Sequence, residues 1–204
     1  MQISDLYQTK ITCSTYNATI DSTNTVITVK LIDFNGAAVT NKSVTLTCDK
    51  GYFNKNGSTA ISGTTTKSIT ATTNSSGEIT ATWTASEWGL CTFSTNNINT
   101  QVNVKGWRTY NHDHTAVYTV RYNEDWVQLL VNISSNVNIS SSWNGWQNIL
   151  TDDFIRPEKG IVKVDNSGHT LIRVSNVSEN IKFKSVLNSS FQNTVYAEIE
   201  WKRK

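Results

Sequence analysis

Short stretches in which apolar and polar residues alternate run along the whole chain and predict β-strands. In residues 25–31, Ser43–Cys48 and Glu78–Thr84, every second side chain is apolar and the intervening ones are mostly polar. Polar turn sequences separate these stretches, among them Asp-Phe-Asn-Gly at 33–36, Asp-Lys-Gly at 49–51 and Asn-Ser-Ser-Gly at 74–77. Strands and turns that alternate at this spacing are typical of a β-sandwich.

The second half of the chain carries the same pattern. Asp-Asn-Ser-Gly at 165–168 lies between two apolar stretches and predicts a β-hairpin. Asn144-Gly145, between Trp143 and Trp146, predicts a second tight turn. Further strands are predicted at 117–122, 126–131, 160–164, 169–174, 181–184 and 195–201.

The amino-acid composition supports an all-β fold. Asn, Ser and Thr account for 74 of the 204 residues, Val and Ile for 17 each, and Pro for one. Such a chain excludes a helical bundle and a βαβ nucleotide-binding fold. The net charge of +2, with both signs mixed, indicates no nucleic-acid partner. No apolar run approaches the ~20 residues that span a bilayer, so we expect no membrane insertion.

The two halves differ in composition, which predicts two domains. Threonine dominates the first half, whereas five of the seven tryptophans lie from residue 107 onward. We place the boundary near residue 105, which gives a β-sandwich at 1–105 and a second β-sandwich at 106–204. The first six residues lack the basic and apolar regions of a signal peptide, so none is expected.

Several landmarks of the first half occur in a characteristic order. They are Val29-x-Leu31-x-Asp33-x-x-Gly36-x-x-Val39, then Val44-Thr45-Leu46, Asp49-Lys50-Gly51, and Asn74-x-x-Gly77-Glu78-Ile79-Thr80-Ala81-Thr82-Trp83-Thr84. Over about residues 10–104 the chain therefore resembles the bacterial immunoglobulin-like repeat of the invasin/intimin type. The resemblance implies a non-enzymatic immunoglobulin-like sandwich that serves as a spacer or adhesive module on bacterial surfaces or on phage tail and capsid proteins.

The three cysteines, Cys13, Cys48 and Cys91, depart from that family's pattern. Each lies in a strand-like stretch, which favours small buried thiols. A disulfide from Cys91 to Cys13 or to Cys48 is the alternative.

No sequence pattern for catalysis is present. The adjacent acidic pairs Glu124-Asp125 and Asp152-Asp153 lie in turn-like segments, where solvated loop charges are expected rather than two cooperating carboxylates. Neither a Gly-x-Ser-x-Gly sequence nor a phosphate-binding loop occurs. We therefore expect a protein without enzymatic activity.

His112 and His114 form the one metal-binding candidate. In an extended segment their side chains share a face, and three copies around a threefold axis would supply six ligands to a transition metal. Such an arrangement looks like the axis of some trimeric phage fibres. The alternative is a polar linker loop, and apart from this metal we expect no cofactor.

Tryptophans of the second half are the candidate ligand contacts. Indole faces stack on sugar rings, and Trp107, Trp126, Trp143 and Trp146 would do so, with Asn144 bonding the sugar hydroxyls. The Asn144-Gly145 turn would present Trp143 and Trp146 on one loop. The alternative is that these tryptophans belong to the core or to a subunit contact.

These observations favour a non-enzymatic structural or adhesive protein. The second half loosely resembles sandwich heads of phage tail or head fibres, so we expect a virion-surface protein of a phage or prophage. Its partners would be other virion proteins, host cell-surface polysaccharide or protein, and copies of itself in a trimer. The alternatives are a fragment of a bacterial cell-surface adhesin, located at the cell surface, and a carbohydrate-binding module.

Overall fold

The computed structural model describes residues 7–96, 98–111, 118–148, 150, 152–176, 180–187 and 191–204. It divides the chain into two compact units, Met1–Gly106 and Trp107–Lys204. Both units are built of β-strands, which confirms the predicted fold class of an immunoglobulin-like β-sandwich followed by a second β-sandwich. Within the described residues no helix has the length and apolar character needed to cross a membrane.

Unit 1 consists of two sheets of five strands each. Sheet A has the strand order β1-β3-β8-β5-β6 and sheet B the order β2-β10-β9-β4-β7, where β2 and β10 pair in parallel and the other pairs are antiparallel. The strands are β1 (Gln8–Cys13), β2 (Asn17–Thr19), β3 (Thr25–Ile32), β4 (Ser43–Cys48), β5 (Tyr52–Asn56), β6 (Thr59–Ala60), β7 (Ser68–Thr72), β8 (Glu78–Thr84), β9 (Gly89–Thr95) and β10 (Ile98–Lys105).

The core of unit 1 lies between its two sheets and is centred on three aromatic rings. Trp83, Phe53 and Phe93 are fully buried, and the Trp83 and Phe93 rings meet edge to face at 5.1 Å between centroids. The Trp83 indole N–H donates a 3.0 Å hydrogen bond to the carbonyl oxygen of Lys50, so its polar atom is satisfied inside the core. The aromatic core thereby holds the β4–β5 turn in place.

Three turns share one construction that begins with Asp or Asn and ends with Gly. At Asp33, Asn74 and Asp165 a side-chain oxygen accepts backbone N–H groups two to five residues further on, at 2.8–3.2 Å. The glycine three residues later has a positive φ and donates its N–H to the first residue's carbonyl. These are the turns predicted at 33–36, 74–77 and 165–168, and the structure confirms them.

A polar cluster surrounds the β4–β5 turn in unit 1. The Glu87 carboxylate accepts hydrogen bonds from Lys67 Nζ at 3.1 Å and from the Gly51 N–H at 3.2 Å, and these contacts lower its pKa although partial burial opposes them. Burial alone would raise the pKa of Asp49, but its hydrogen bonds together outweigh burial and lower that pKa as well; the largest contribution among them is the bond from the Thr92 N–H, at 2.7 Å. Both carboxylates therefore stabilise the turn in their ionised form.

Unit 1 is expected to lose stability in acid because of these two carboxylates. A carboxylate whose pKa is lowered by folding stabilises unit 1 at pH values above its ordinary pKa, which is 3.8 for Asp49 and 4.5 for Glu87. That stability is lost as the pH falls through the lowered pKa of the folded state. Hydrogen exchange under urea, measured from about pH 6 to about pH 3, should show unit 1 weakening below about pH 4.5. In Asp49→Asn and Glu87→Gln variants the decline should be shallower, whereas Glu124→Gln, an exposed site in unit 2, should leave unit 1 unaltered. Identical declines in all variants would contradict this assignment.

The three cysteines are free thiols in unit 1, and neither alternative disulfide is formed. Cys48 and Cys91 are buried and Cys13 is half-buried. Burial raises the pKa of Cys48 to about 11 and that of Cys91 to about 12. Cys48 and Cys91 therefore behave as apolar core residues with little thiolate character.

Unit 2 consists of two sheets of four strands each, together with a short 3₁₀ helix. Sheet C has the order β11-β12-β13-β18 and sheet D the order β14-β17-β16-β15, with every pair antiparallel. The elements are β11 (Arg108–Asn111), β12 (Tyr118–Tyr122), β13 (Trp126–Ile139), β14 (Asn144–Asn148), the 3₁₀ helix (Asp153–Ile155), β15 (Ile161–Val164), β16 (Thr170–Val174), β17 (Asn180–Ser185) and β18 (Phe191–Lys202).

The buried faces of sheets C and D share one apolar core. Val127, Leu129 and Ile199 of sheet C and Ile172 and Val174 of sheet D are at most 1% exposed. Since alternate residues of a strand point to opposite faces, the residues between these buried positions form the outer faces of the unit.

The Asn144-Gly145 prediction is wrong, because this dipeptide begins strand β14 and does not form a tight turn. Asn144 pairs with Phe183 and Gly145 with Lys182 of β17. Long-range pairing thus overrides the local turn preference, and Trp146 lies in a strand rather than in the predicted loop. Strands β2, β5, β6 and β11 are further elements that the apolar pattern did not predict.

Candidate functional site

The predicted ligand contacts fall on two different sheets of unit 2. Trp143 directly precedes β14, and Asn144 and Trp146 lie within that strand of sheet D. Trp126 begins β13 of sheet C and is 40% exposed. The side chains of Asn144 and Trp146 lie outside the described part of the structure, so the candidate surface is built from Trp143 and its described neighbours.

The predicted metal ligands, His112 and His114, lie outside the described residues. Within the described ranges, no three His, Cys, Asp or Glu side chains come close enough to hold a metal ion. The metal site at a threefold axis therefore remains a prediction, for which the metal content of the purified protein is the measurement.

A row of four residues crosses the outer face of sheet D and ends at Trp143. Val164 of β15 pairs with Leu171 of β16, and Leu171 pairs with Lys184 of β17. The Lys184 ammonium lies 5.2 Å from the centroid of the Trp143 ring. Because neighbouring strands are about 4.8 Å apart, this row is about 14 Å long.

A second row runs beside the first and contains two opposed cations. Val162 pairs with Arg173, Arg173 pairs with Lys182, and Lys182 pairs with Gly145. Val162 is 52% exposed and Arg173 is also exposed, so the row faces solvent. We call the two rows together the basic face.

The cations of the basic face have no carboxylate partner in the part of unit 2 that the structure describes. The four strands of sheet D contain no Asp or Glu, and the described residues place no carboxylate within 4 Å of Arg173, Lys182 or Lys184. Like charges directly opposite each other, as in the Arg173–Lys182 pair, destabilise a sheet. Packing among the described residues of unit 2 therefore gives no reason for this arrangement.

The outer face of sheet C shows the contrasting case, in which charged side chains of both signs are hydrogen-bonded to one glutamine. The Arg121 guanidinium donates to the side-chain carbonyl of Gln128, and the Gln128 amide donates to Glu198 and, at 2.6 Å, to Glu200. Gln128 is only 3% exposed beneath these groups. This face satisfies its own charges, whereas the basic face does not.

Each described tryptophan of the predicted sugar-binding group carries a cation at its ring. Lys184 lies over Trp143, Lys202 lies 5.7 Å from the ring centroid of Trp126, and Arg121 lies 5.1 Å from that of Trp107. Such cation–π contacts are worth about 0.5–1 kcal/mol at exposed sites. A sugar that stacked on the same ring face would have to displace the cation, so these rings position charge rather than offer a bare apolar platform.

The adjacent acidic pairs lie outside the strands, with Asp153 at the start of the 3₁₀ helix, and one member of each pair has a structural contact. Asp153 lies beside Lys204, whose ammonium donates to its carboxylate at 3.0 Å and lowers its pKa. The backbone carbonyl of Asp125 accepts the Arg203 N–H at 2.8 Å. These contacts anchor the end of β18.

Sequence reasoning found Trp143 but missed the cations around it. The alternation in β16 and β17 does indicate that these cations face solvent, because Arg173 lies between the apolar residues Ile172 and Val174, and Lys182 follows the apolar Ile181. The alternation does not predict that these two strands pair with each other, and it is this pairing that brings the cations together.

The comparisons with known proteins place the chain in no family. No family model matches it, and no curated protein matches it. Among solved structures, the Yersinia pseudotuberculosis adhesin InvE aligns at 14% identity and a TM-score of 0.35, over 93% of this chain and 58% of that one. The collagen adhesin CNA from S. aureus aligns at 15% identity and a TM-score of 0.32, over 97% of this chain and 95% of that one. The surface layer protein SbsC, domains 4–9, aligns at 13% identity and a TM-score of 0.31, over 94% of this chain and 31% of that one.

Proposed function

We propose that this chain is a non-enzymatic adhesive module of a bacterial cell surface, in which unit 2 makes the contact and unit 1 acts as a spacer. The observation that carries the proposal is the basic face of sheet D, whose cations have no carboxylate partner among the described residues and whose two valines are exposed. Surfaces of this kind mark sites of interaction with another molecule.

The distribution of exposed apolar side chains supports unit 2 as the contact domain. Of the nine large apolar side chains that are exposed among the described residues, six belong to unit 2 and three to unit 1. Val162 and Val164, both on the basic face, are 52% and 43% exposed. Burial of their exposed surface against a partner would contribute to binding.

The outer face of sheet B in unit 1 suits an inert spacer. Its strands β4 and β7 present hydroxyl-bearing residues to solvent, such as Ser68 and Thr70, and the hydroxyls of Thr45 and Thr70 bond each other at 2.9 Å. On sheet A, Lys30 pairs with Glu78 at 2.9 Å. These charges and hydroxyls thus find partners within unit 1.

The resemblance of residues 10–104 to invasin/intimin-type repeats supports a cell-surface setting. The virion setting expected from the sequence finds no support in the comparisons. A carbohydrate-binding role is retained within the proposal as a property of unit 2, without a parent enzyme. Cofactors and enzymatic activity have no part in it.

Retention of coated beads under flow tests the adhesive role. Beads that carry the full chain are passed over surfaces coated with bacterial cell wall, with acidic or neutral polysaccharides, or with extracellular-matrix proteins. We expect retention on at least one surface, and a loss of at least half of the beads when Val162→Glu and Val164→Glu are combined. These two glutamates would introduce negative charge and remove the exposed aliphatic groups of an edge strand.

A matched control lies on the edge strand of the other unit. Ser68→Glu combined with Thr70→Glu places two glutamates at the same i, i+2 spacing on β7, and we expect it to leave bead retention unchanged. Retention no better than that of uncoated beads on every surface, with a chain shown to be folded, would overturn the adhesive role. Equal losses in both variants would remove unit 2 as the contact domain.

A further inference from the structure

We infer that the basic face of sheet D binds an acidic polysaccharide, with carboxylate groups of the sugar chain against Arg173, Lys182 and Lys184. This inference rests on the proposed adhesive function and names its ligand class. It follows from the charges, the spacing and the apolar content of the face, taken in turn below.

The charges of the face select an anionic ligand. Arg173 and Lys182 are directly opposite each other, and Lys184 follows Lys182 by two residues on the same side of β17. Directly opposed side chains have Cβ atoms about 5 Å apart, and residues i and i+2 of a strand are about 6.7 Å apart. Three cations thus lie within about 10 Å of one another with no described carboxylate between them, and an anion relieves their repulsion.

The Arg173 guanidinium matches a carboxylate in shape as well as charge. It presents parallel N–H donors that can bond both oxygens of one carboxylate, whereas the two lysines act as point charges for neighbouring groups. The rows extend in the direction of the strand separation, so an extended sugar chain lying across the strands meets one side chain about every 4.8 Å. This spacing is comparable to the length of one pyranose unit.

The apolar residues of the face favour a polysaccharide over nucleic acid. Val162, Val164 and Leu171 form an aliphatic margin on one side of the cations, and Trp143 lies on the other side. Pyranose rings have apolar C–H faces that can cover such side chains while their carboxylates reach the cations. Nucleic acid requires a larger basic stripe than three cations, and the chain as a whole has a net charge of only +2.

The position of Lys184 distinguishes an acidic from a neutral glycan. Because its ammonium lies over the Trp143 ring, the approaching ligand meets a positive charge there and not a free indole face. Neutral sugars gain little from that charge, whereas a carboxylate gains a direct ion pair. The ring holds the lysine in position for such a pair.

Binding to polygalacturonate, measured with the full chain by biolayer interferometry, tests the inference. The test variant combines Arg173→Gln, Lys182→Gln and Lys184→Gln, and the matched control combines Lys10→Gln, Lys55→Gln and Lys105→Gln, three exposed lysines of unit 1. Both variants lower the formal net charge from +2 to −1, so a difference between them reports position and not overall charge. We expect the test variant to bind at least about 10-fold more weakly and the control to stay within about twofold of the unmodified chain.

Two further ligands complete the experiment. Polygalacturonate whose carboxyl groups have been reduced to alcohols should bind at least about 10-fold more weakly than the parent polymer, and the parent should bind more weakly as salt is raised. Equal binding of the reduced polymer, or equal losses in the two variants, would overturn the inference. Tighter binding to double-stranded DNA than to polygalacturonate at equal charge concentration would overturn it as well.

The outcomes separate this inference from the proposed function. If coated beads are retained on cell-surface material but the test variant is retained equally well, the inference fails and the adhesive role stands. If the beads are retained nowhere, the adhesive role fails irrespective of the polygalacturonate result.

Discussion

Replacing Gly51 with alanine is expected to destabilise unit 1 by about 3 kcal/mol or more. Gly51 has a φ of +67°, and a Cβ atom there would lie 2.3 Å from the Thr84 carbonyl oxygen and 2.4 Å from Nε1 of Trp83. Both neighbours belong to the core or its backbone, so neither can move without cost. The displaced indole would also lose its hydrogen bond to the carbonyl oxygen of Lys50.

Gly57 provides a matched control for the backbone conformation alone. Its φ of +59° resembles that of Gly51, but nothing lies within 4 Å of the position that a Cβ would occupy. Gly57→Ala should therefore cost only the strain of the left-handed backbone, about 1 kcal/mol. Hydrogen exchange of the full chain under increasing urea measures both variants, and unit 2 should be unaffected. Equal losses in the two variants would show that backbone strain, and not the contact with Trp83, explains the glycine.

Gly51 illustrates what the sequence could predict and what it could not. The segment Asp49-Lys50-Gly51 was predicted as a turn because its residue types favour one. That this turn needs glycine for packing depends on Trp83, which lies 32 positions further along the chain. Local preferences are visible in a sequence, whereas the packing partner of a turn is known only once the sheets have formed.

The strands show the same division between local and long-range causes. Ser43–Cys48 and Glu78–Thr84 have the bounds that alternation predicts, since one side of each packs into the core. Asn144-Gly145 was predicted as a turn on equally good local grounds, yet it pairs with β17. The free energy that favours a two-residue turn is smaller than that of the hydrogen bonds formed when the same residues pair as an edge strand of a sheet.

The candidate site could be predicted only in part for this reason. Trp143 was predicted from its residue type, as a sugar contact. Its role changes once Lys184 is placed over the ring and Arg173 opposite Lys182, because a stacking platform becomes part of a basic surface. Strand order and register create that surface, and neither can be read from alternation within single strands.

Trp201 is where we expect the largest single-residue effect in unit 2. Its indole is 4% exposed, packs in the core shared by sheets C and D, and donates a 2.7 Å hydrogen bond from Nε1 to the carbonyl oxygen of Ile155. It therefore joins the last strand of the chain to the 3₁₀ helix. Removing it opens a large cavity and leaves that carbonyl without its donor.

Trp201→Ala should cost unit 2 about 3–5 kcal/mol, and Trp126→Ala less than about 1 kcal/mol. The two tryptophans lie at the same level of sheet C, since Val127 pairs with Trp201 and Trp126 with Lys202, but Trp126 is 40% exposed on the outer face. Comparing them separates the buried from the exposed side of one sheet. The measurement is the free energy of unfolding of unit 2 from hydrogen exchange under urea, with unit 1 as the internal reference.

A Trp201→Phe variant keeps the comparison decisive if the alanine variant does not fold. Phenylalanine fills most of the space but cannot donate to the Ile155 carbonyl, which leaves a buried acceptor unsatisfied at a cost of about 1–3 kcal/mol. Its loss of stability should therefore fall between those of Trp126→Ala and Trp201→Ala. A phenylalanine variant as stable as the unmodified chain would show that the hydrogen bond to Ile155 contributes nothing to the stability of unit 2.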